Sequence, residues 1–497
     1  MLKQSSDLME GEYGETSALR VINRKKGGLV ELTNEQRVVF NAVKSVRSRA
    51  EALGVLGSGR EEETAAIIEQ LLQLGLIVDD ENASGPRQPD AVPNDLGTFK
   101  ARALYLFLSD ACNMDCAHCY VPAEMRHDHS RIMSFDLAKK TIDDFFQQAE
   151  SLGSKEVELR FLGGEPFFDR KLLLQTLKYA EDEGATKGIG VKFVINTNGT
   201  YCDERTVESL KPFADKLFMI VSLDGDEETH NVQRPLRGNK PSYNIVTRNI
   251  KRLKEAGIYV CPHVVVSSRN QDQVVDIMDH AKNEFGINQL SYSFMHLPDP
   301  TKDIGVRDLS SEEKMQVVRA THAKAKESGM ELTGHWKFSI AQSVTNSPAL
   351  CEGGVSTICV TSNGDMFACQ RHVGDPNKKL GNVADGLAKS LGVLRNQKLG
   401  QWLNQMSATG ERGCVGCMVS GECASKKCSD KGEKETPLSV GILELQAYAN
   451  QAGAKADSGK SDDDFHEQLL RFYLENCPTA MIRTTEFDTI VNGMQPR

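Results

Sequence analysis

Between about Ala103 and Met330, six β-rich apolar runs alternate with amphipathic helical stretches, and this alternation constrains the fold more than any other feature of the chain. The runs are LYLFLS (104–109), VELRFLGG (157–164), VKFVINTNG (191–199), LFMIVSLDG (217–225), IYVCPHVVVSS (258–268) and INQLSYSFM (287–295). Between them, segments such as FDLAKKTIDDFFQQAESL and YNIVTRNIKRLKEAG place apolar residues three and four apart, which makes one face of a helix. Strands apolar on both faces and joined through helices form a parallel sheet covered by helices. Six such units predict an α/β fold built as an open, partial (β/α)6 barrel. Its working loops leave the C-terminal ends of the strands. That rule puts Ser109 to Tyr120, Gly163 to Pro166, Asn196 to Thr200 and Ser222 to Gly225 on one rim.

The flanks read differently. Residues 17 to about 82 predict a small winged-helix-like unit: a hairpin turning at Lys26-Gly27-Gly28, a helix from Asn34, a second helix in EEETAAIIEQLLQLG and a short closing strand. Its acids slightly outnumber its bases, which argues against a phosphate-binding surface. A stretch rich in Asn, Pro, Gly and Asp (82–97) links it to the barrel. Beyond about residue 345 the alternation stops and cysteines become dense, and the polar segment 451–464 reads as a loop. The expected domains are residues 1–97, 98–335 and 336–497.

Composition narrows the function classes. The 497 residues include 69 acids and 59 bases, for a formal charge of −10, so no overall field attracts nucleic acid or anionic lipid. No run approaches the roughly 18 apolar residues of a membrane span, and the first residues lack a secretory pattern. These observations predict a cytoplasmic protein without nucleic-acid or membrane partners. Thirteen cysteines in a reducing compartment call for metal, redox or packing roles rather than disulfides.

The first group, Cys112-Asn-Met-Asp-Cys116-Ala-His-Cys119-Tyr120, directly follows the first strand. Three thiolates on one loop can hold three irons of a four-iron cluster and leave the fourth open; a zinc site completed by His118 has the same spacing. The second group comprises Cys351, Cys359 and Cys369, then Cys414, Cys417, Cys423 and Cys428, then Cys477. A zinc ribbon built on CVGC competes with iron–sulfur ligation there. Cys202 and Cys261 read as packed thiols.

The first group resembles the Cys-x3-Cys-x2-Cys-aromatic signature of the radical S-adenosylmethionine (SAM) superfamily. Gly163-Gly164-Glu165-Pro166, Asn196-Thr197-Asn198-Gly199-Thr200 and Ser222-Leu223-Asp224-Gly225 follow in order after the next three strands. The resemblance implies that the methionine part of SAM chelates the open iron, its ammonium meeting Glu165 and the backbone of Gly163 and Gly164. It further implies Tyr120 near the adenine, Ser222 and Arg234 at the ribose or carboxylate, and Asn198 as another contact. Asp224, beside Gly225, reads as a turn residue.

The C-terminal cysteines resemble a SPASM extension, which carries two auxiliary [4Fe-4S] clusters. That resemblance assigns Cys351, Cys359, Cys369 and Cys428 to one cluster and Cys414, Cys417, Cys423 and Cys477 to the other; four residues separate Cys423 from Cys428 where the family usually has three.

The implied reaction is reductive SAM cleavage to a 5′-deoxyadenosyl radical that removes hydrogen from a peptide or protein, with ferredoxin or flavodoxin as electron donor. A sulfatase-maturing enzyme is expected to carry an aspartate after the cysteine of Gly-x4-Cys, whereas Gln370 follows Cys369 here. The stretch CQRHVGDPNKKLGNV (369–383) instead looks like a segment of maturases acting on ribosomally made peptides. The leading expectation is thioether or carbon–carbon crosslinking, with residues 17–82 binding the precursor as an added strand. Formylglycine-type oxidation is the enzymatic alternative, and a zinc-stabilised peptide-binding adaptor the non-enzymatic one. No general base stands out; His296 and Tyr292 are candidates by position alone.

Overall fold

The computed structural model describes residues 2–5, 8–13, 16–23, 29–46, 48–79, 99–295, 305–334, 356–387 and 389–391, with Gln468 and Phe472. The chain divides into two compact units; residues 2–79 belong to the first, and 99–334 with 356–391 to the second.

In the first unit the described strands and helices are β1 (Leu2–Gln4), β2 (Leu8–Tyr13), β3 (Ala18–Asn23), β4 (Leu29–Glu31), α1 (Asn34–Ala42), α2 (Arg49–Leu53), α3 (Glu61–Gln73) and β5 (Ile77–Asp79). Strands β2, β3 and β4 form an antiparallel sheet, and β1 pairs with β5. The expected hairpin is β3–β4, with Val21 opposite Val30; its turn at 24–28 lies outside the described residues. Helix α1 starts at Asn34 because Thr33 caps it: Thr33 Oγ1 accepts from Gln36 N while Gln36 Oε1 accepts from Thr33 N. Val21, Phe40, Ile68, Leu71 and Ile77 make the core.

The sequence reading began this unit at residue 17 and so missed β1 and β2. In LMEGEY the inward positions are Met9, Gly11 and Tyr13, and only two of them carry an apolar side chain. The alternation of a half-buried strand is therefore faint.

The second unit contains β6 (Ala103–Ser109), α4 (Ala123–His127), α5 (Phe135–Ser151), β7 (Glu156–Gly163), α6 (Arg170–Lys187), β8 (Gly190–Thr197), α7 (Glu204–Leu210), β9 (Leu217–Ser222), α8 (Glu227–Gln233) and α9 (Tyr243–Glu255). It continues with β10 (Tyr259–Val266), α10 (Val274–Phe285), β11 (Gln289–Phe294), α11 (Ser311–Ser328), β12 (Glu331–Thr333), β13 (Thr357–Val360), β14 (Asp365–Phe367) and β15 (Lys379–Asn382). All six expected runs are strands, in the sheet order β12-β11-β10-β9-β8-β7-β6-β13-β14-β15. Strands β6 to β12 run parallel, β13 joins β6 in parallel, and β14 and β15 turn back antiparallel. The sheet keeps two edges, so the barrel is partial.

Alternation sorts the side chains of each strand. Phe193 packs edge-on to Phe213 beyond α7, and Tyr292 Oη lies 3.1 Å from Thr321 Oγ1 of α11, so these positions face the helices. Their strand neighbours Val194, Phe218, Ile220 and Cys261 form an apolar cluster with Tyr259 on the opposite, inner face. Each large apolar side chain so buried contributes roughly 1.5–3 kcal/mol.

Candidate active site

The loop after β6 is fixed by main chain. Cys112 N donates to Arg126 O at 3.0 Å, Asp115 N to Pro235 O at 3.0 Å, and Arg237 N to Asn113 O at 3.1 Å. The loop after β7 lies directly against it, with Gly164 N 3.0 Å from Ser109 O and Glu165 N 2.9 Å from Ala111 O. This contact is what the two glycines permit. A Cβ at Gly164 would sit 2.2 Å from the carbonyl oxygens of both Asp110 and Ala111, and Gly163 has φ 133° with Ser109 O 2.4 Å from any Cβ.

Behind this contact Glu165 is fully buried. Its Oε1 accepts from Thr197 Oγ1 at 2.6 Å and from Phe167 N at 3.2 Å, and its Oε2 accepts from Asn198 N at 2.9 Å. Burial raises the carboxyl to about 7 against the opposing pull of these donors. The Asn198 amide reaches the cysteine loop, with Nδ2 2.9 Å from Asn113 Oδ1 and 3.8 Å from Cys112 Sγ.

Asp224 corrects the sequence reading. It is the buried partner of Arg234, whose Nε and Nη2 lie 2.6 and 3.2 Å from its two oxygens, and it also accepts from Val265 N at 2.9 Å. Burial alone would raise its carboxyl; Arg234 and His118 outweigh that and hold it below the usual range. Burial first, and then Arg234, depresses His118 to about 4, and its Nε2 faces Asp224 Oδ2 at 3.8 Å. Arg234 is thus already engaged. Ser222 is half-buried at the end of β9, and Tyr120 is more than a third exposed.

Cys112, Cys116 and Cys119 share an apolar cluster with Met114 and Leu236. Burial pushes Cys112 and Cys116 up to about 12, so their thiols keep their protons at neutral pH until a bound cation displaces them. Among the described residues, no three His, Cys, Asp or Glu side chains gather where one metal ion fits. Three thiols on one loop suit a polynuclear group held at separate metal atoms, and His118 Nε2 is turned to Asp224.

Cys359, on β13, and Cys369, after β14, lie beside the first loop. Cys359 and Cys119 pack in one apolar cluster with Phe107 and Val121. Cys351, Cys414, Cys417, Cys423, Cys428 and Cys477 lie outside the described residues. Cys202 and Cys261 are buried, as expected of packed thiols. His296 lies outside the described residues, and Tyr292 points to α11, away from the inner face.

Sequence reasoning missed two arrangements. Asp110 is fully buried and accepts from Arg131 Nε at 2.8 Å and Ser362 Oγ at 2.7 Å, tying the cysteine loop to the β13–β14 turn. On the inner face of β10, His263 has Nδ1 2.9 Å from Ser291 Oγ and Nε2 3.1 Å from Ser293 Oγ of β11. The signal for the second was present: polar residues at every other position of INQLSYSFM, opposite a histidine in an apolar strand.

An open parallel barrel with a three-cysteine loop after its first strand, braced by a glycine pair, is the architecture of an enzyme built around a cluster-bound cofactor. Residues 106–281 match the Radical SAM superfamily, so the chain carries a radical SAM domain. A domain of this family implies SAM and a [4Fe-4S] cluster. The radical SAM cyclopropyl synthase TigE of Paramaledivibacter caminithermalis is 22% identical over 444 residues, covering 84% of this chain and 89% of that protein. The antilisterial bacteriocin subtilosin biosynthesis protein AlbA of Bacillus subtilis is 27% identical over 204 residues, covering 39% of this chain and 41% of its own length. A solved structure of polyhistidine-tagged anSMEcpe with bound AdoMet, 17% identical with a TM-score of 0.51, covers 74% of this chain and 98% of that one, a likeness of fold. Among the described residues no helix is long and apolar enough to cross a membrane.

Proposed function

We propose that this enzyme cleaves SAM reductively and modifies a ribosomally made precursor peptide by forming a thioether or carbon–carbon crosslink. The observation that carries this reading is the buried Glu165 behind the glycine-braced cysteine loop, an acceptor carboxylate facing a three-cysteine donor set. The name of one relative, a bacteriocin biosynthesis protein, supports a peptide substrate. Cys112, Cys116 and Cys119 would hold three irons; the cluster with SAM supplies the 5′-deoxyadenosyl radical. Glu165 and the backbone of Gly163 and Gly164 orient the ammonium of SAM through charge-assisted bonds in a dry cleft. Asn198 steadies the loop, Tyr120 would hold the adenine side of the ligand, and Ser222 would hold the ribose. Arg234 reaches the ligand only with N–H groups not spent on Asp224.

Auxiliary clusters on Cys351, Cys359, Cys369 and Cys428, and on Cys414, Cys417, Cys423 and Cys477, are the proposed electron acceptors. Residues 17–82, within the domain 1–97, bind the precursor, domains 98–335 and 336–497 carry the clusters, and a ferredoxin or flavodoxin supplies the electron. Crosslinking is favoured over formylglycine formation because the residue after Cys369 is Gln370, whose amide oxygen lies 3.5 Å from Cys369 Sγ and is no proton acceptor of carboxylate strength.

Anaerobic reconstitution tests the assignment. The wild type should bind iron and sulfide and release 5′-deoxyadenosine under reductant, and replacing Cys112, Cys116 and Cys119 with Ala should abolish that release. Zinc as the bound metal, or undiminished release from the triple variant, would refute it.

A further inference from the structure

The strand levels of the barrel place a row of hydroxyls and one imidazole on the inner face of β9 to β12. Ser222 of β9, His263 of β10, Ser291 of β11 and Thr333 of β12 are register partners, so all four share one face of the sheet. Ser293, two residues beyond Ser291, lies on that face too, nearer the C-terminal rim. It is the inner face, because Tyr292 between the two serines turns to α11. At the level below, Ile220 and Cys261 are apolar, and Asn196 of β8 is the register partner of Ile220.

His263 is half-buried and bracketed by hydroxyls. A hydroxyl both donates and accepts, so it can pass a proton without changing its own charge. With its proton on Nδ1, facing Ser291 Oγ, the imidazole leaves Nε2 to accept from Ser293. Of the carboxylates described around the rim, Asp224 is paired with Arg234 and Glu165 accepts from three donors, while Asp110 meets Arg131 and Ser362 through Oδ2 alone on the far side of the rim, against the β13–β14 turn.

We propose that Ser293, His263 and Ser291 form a proton relay that takes up the proton released by the peptide substrate, with Ser293 at its substrate end. This rests on the peptide-crosslinking reading. The balance requires such a group. One hydrogen atom leaves the peptide for the 5′-deoxyadenosyl carbon, and the new carbon–sulfur or carbon–carbon bond forms with loss of a second hydrogen as a proton and an electron. The electron passes to a one-electron acceptor of the iron–sulfur class. The proton goes to Ser293 Oγ as that hydroxyl hands its own to His263 Nε2, giving an imidazolium that Ser291 steadies from the far side.

The test uses the reconstituted full-length enzyme with a synthetic peptide that carries cysteine and aromatic residues, scoring crosslinked product and 5′-deoxyadenosine by mass spectrometry. His263→Gln should keep 5′-deoxyadenosine formation within about twofold of wild type, the control for folding and cofactor binding, and lower product per 5′-deoxyadenosine at least about tenfold, within the usual span of general-base effects. Ser293→Ala should lower the same ratio by a smaller factor. Added imidazole should restore product in His263→Ala, a rescue that a merely structural role would not show. An unchanged ratio, or a parallel fall of product and SAM cleavage without rescue, would overturn the relay. If the wild type cleaves SAM but leaves the peptide unmodified, the crosslinking reading fails first, and the relay with it.

Discussion

The two sides of the barrel rim are built from different materials. On the β6–β9 side, main chain lies against main chain, and Asp110, Glu165 and Asp224 each accept from a cation or from several donors. On the β10–β11 side a half-buried imidazole stands between two hydroxyls. The first arrangement fixes atoms in place, since buried hydrogen-bonded ions cannot rotate away without stranding a partner. The second can gain or lose a proton with little rearrangement. One side is therefore suited to holding a bound cofactor in a single pose, and the other to following a substrate through a change of protonation.

The largest expected effect lies on the rigid side. Gly164→Ala drives a Cβ to 2.2 Å from two carbonyl oxygens, and backbone cannot yield as a side chain can. The cysteine loop must move, and SAM cleavage should fall by about a hundredfold or more, since even misplacement by about 1 Å costs that much. Gly188→Ala, at the end of α6, is the matched control: its φ is 66° but nothing lies within 4 Å of a Cβ. It should cost only about 1–2 kcal/mol of stability, the strain of a left-handed residue, with SAM cleavage per folded molecule unchanged. Equal losses of activity in both would mean that the tight contact at Gly164 is not what holds the loop.

Next is the buried ion pair. Asp224→Ala leaves Arg234 charged without its carboxylate, and removing one partner of such a pair costs about 3–5 kcal/mol. Urea unfolding should show it as a lower midpoint. A hydroxyl change on the adaptable side, Ser291→Ala, should cost only about 1 kcal/mol by loss of one hydrogen bond. If the two costs proved alike, the contrast between the sides would be one of appearance only.

How much of this was readable beforehand follows the same division. The six strands, the cysteine loop and the Gly163-Gly164-Glu165 turn announce themselves through local pattern, because strand alternation and glycine-rich turns are written in neighbouring residues. Asp224 was misread because its partner Arg234 comes from the far end of α8, and a turn beside Gly225 explains it locally just as well. Tyr292 was proposed where Ser291 and Ser293 point inward, since choosing which face of a strand meets the lumen requires the neighbouring helix, here Thr321 of α11. Asp110 meets Ser362 across 252 positions of sequence, a pairing that no local pattern encodes.

A change of pH separates two buried carboxylates by sign. Glu165 is raised by burial to about 7, above its usual 4.5, so the folded chain holds that proton more tightly than the unfolded chain does. Its contribution to stability is complete below pH 4.5 and is lost as pH rises through 7, a change of up to about 3 kcal/mol over that window. Asp224, held below its usual value, acts the other way: its contribution is present above pH 3.8 and disappears on further acidification. Glu165→Gln should therefore flatten the fall in stability between about pH 5 and 7 while leaving the loss at lower pH in place, as read from urea midpoints across pH. A ligand ammonium beside Glu165 would keep it ionised, so wild-type SAM affinity should weaken as pH falls below about 7, and that dependence should disappear in the glutamine variant. An unaltered pH dependence in Glu165→Gln would mean that the carboxylate behind the glycine turn is structural filler, and that the rigid side holds its cofactor by backbone alone.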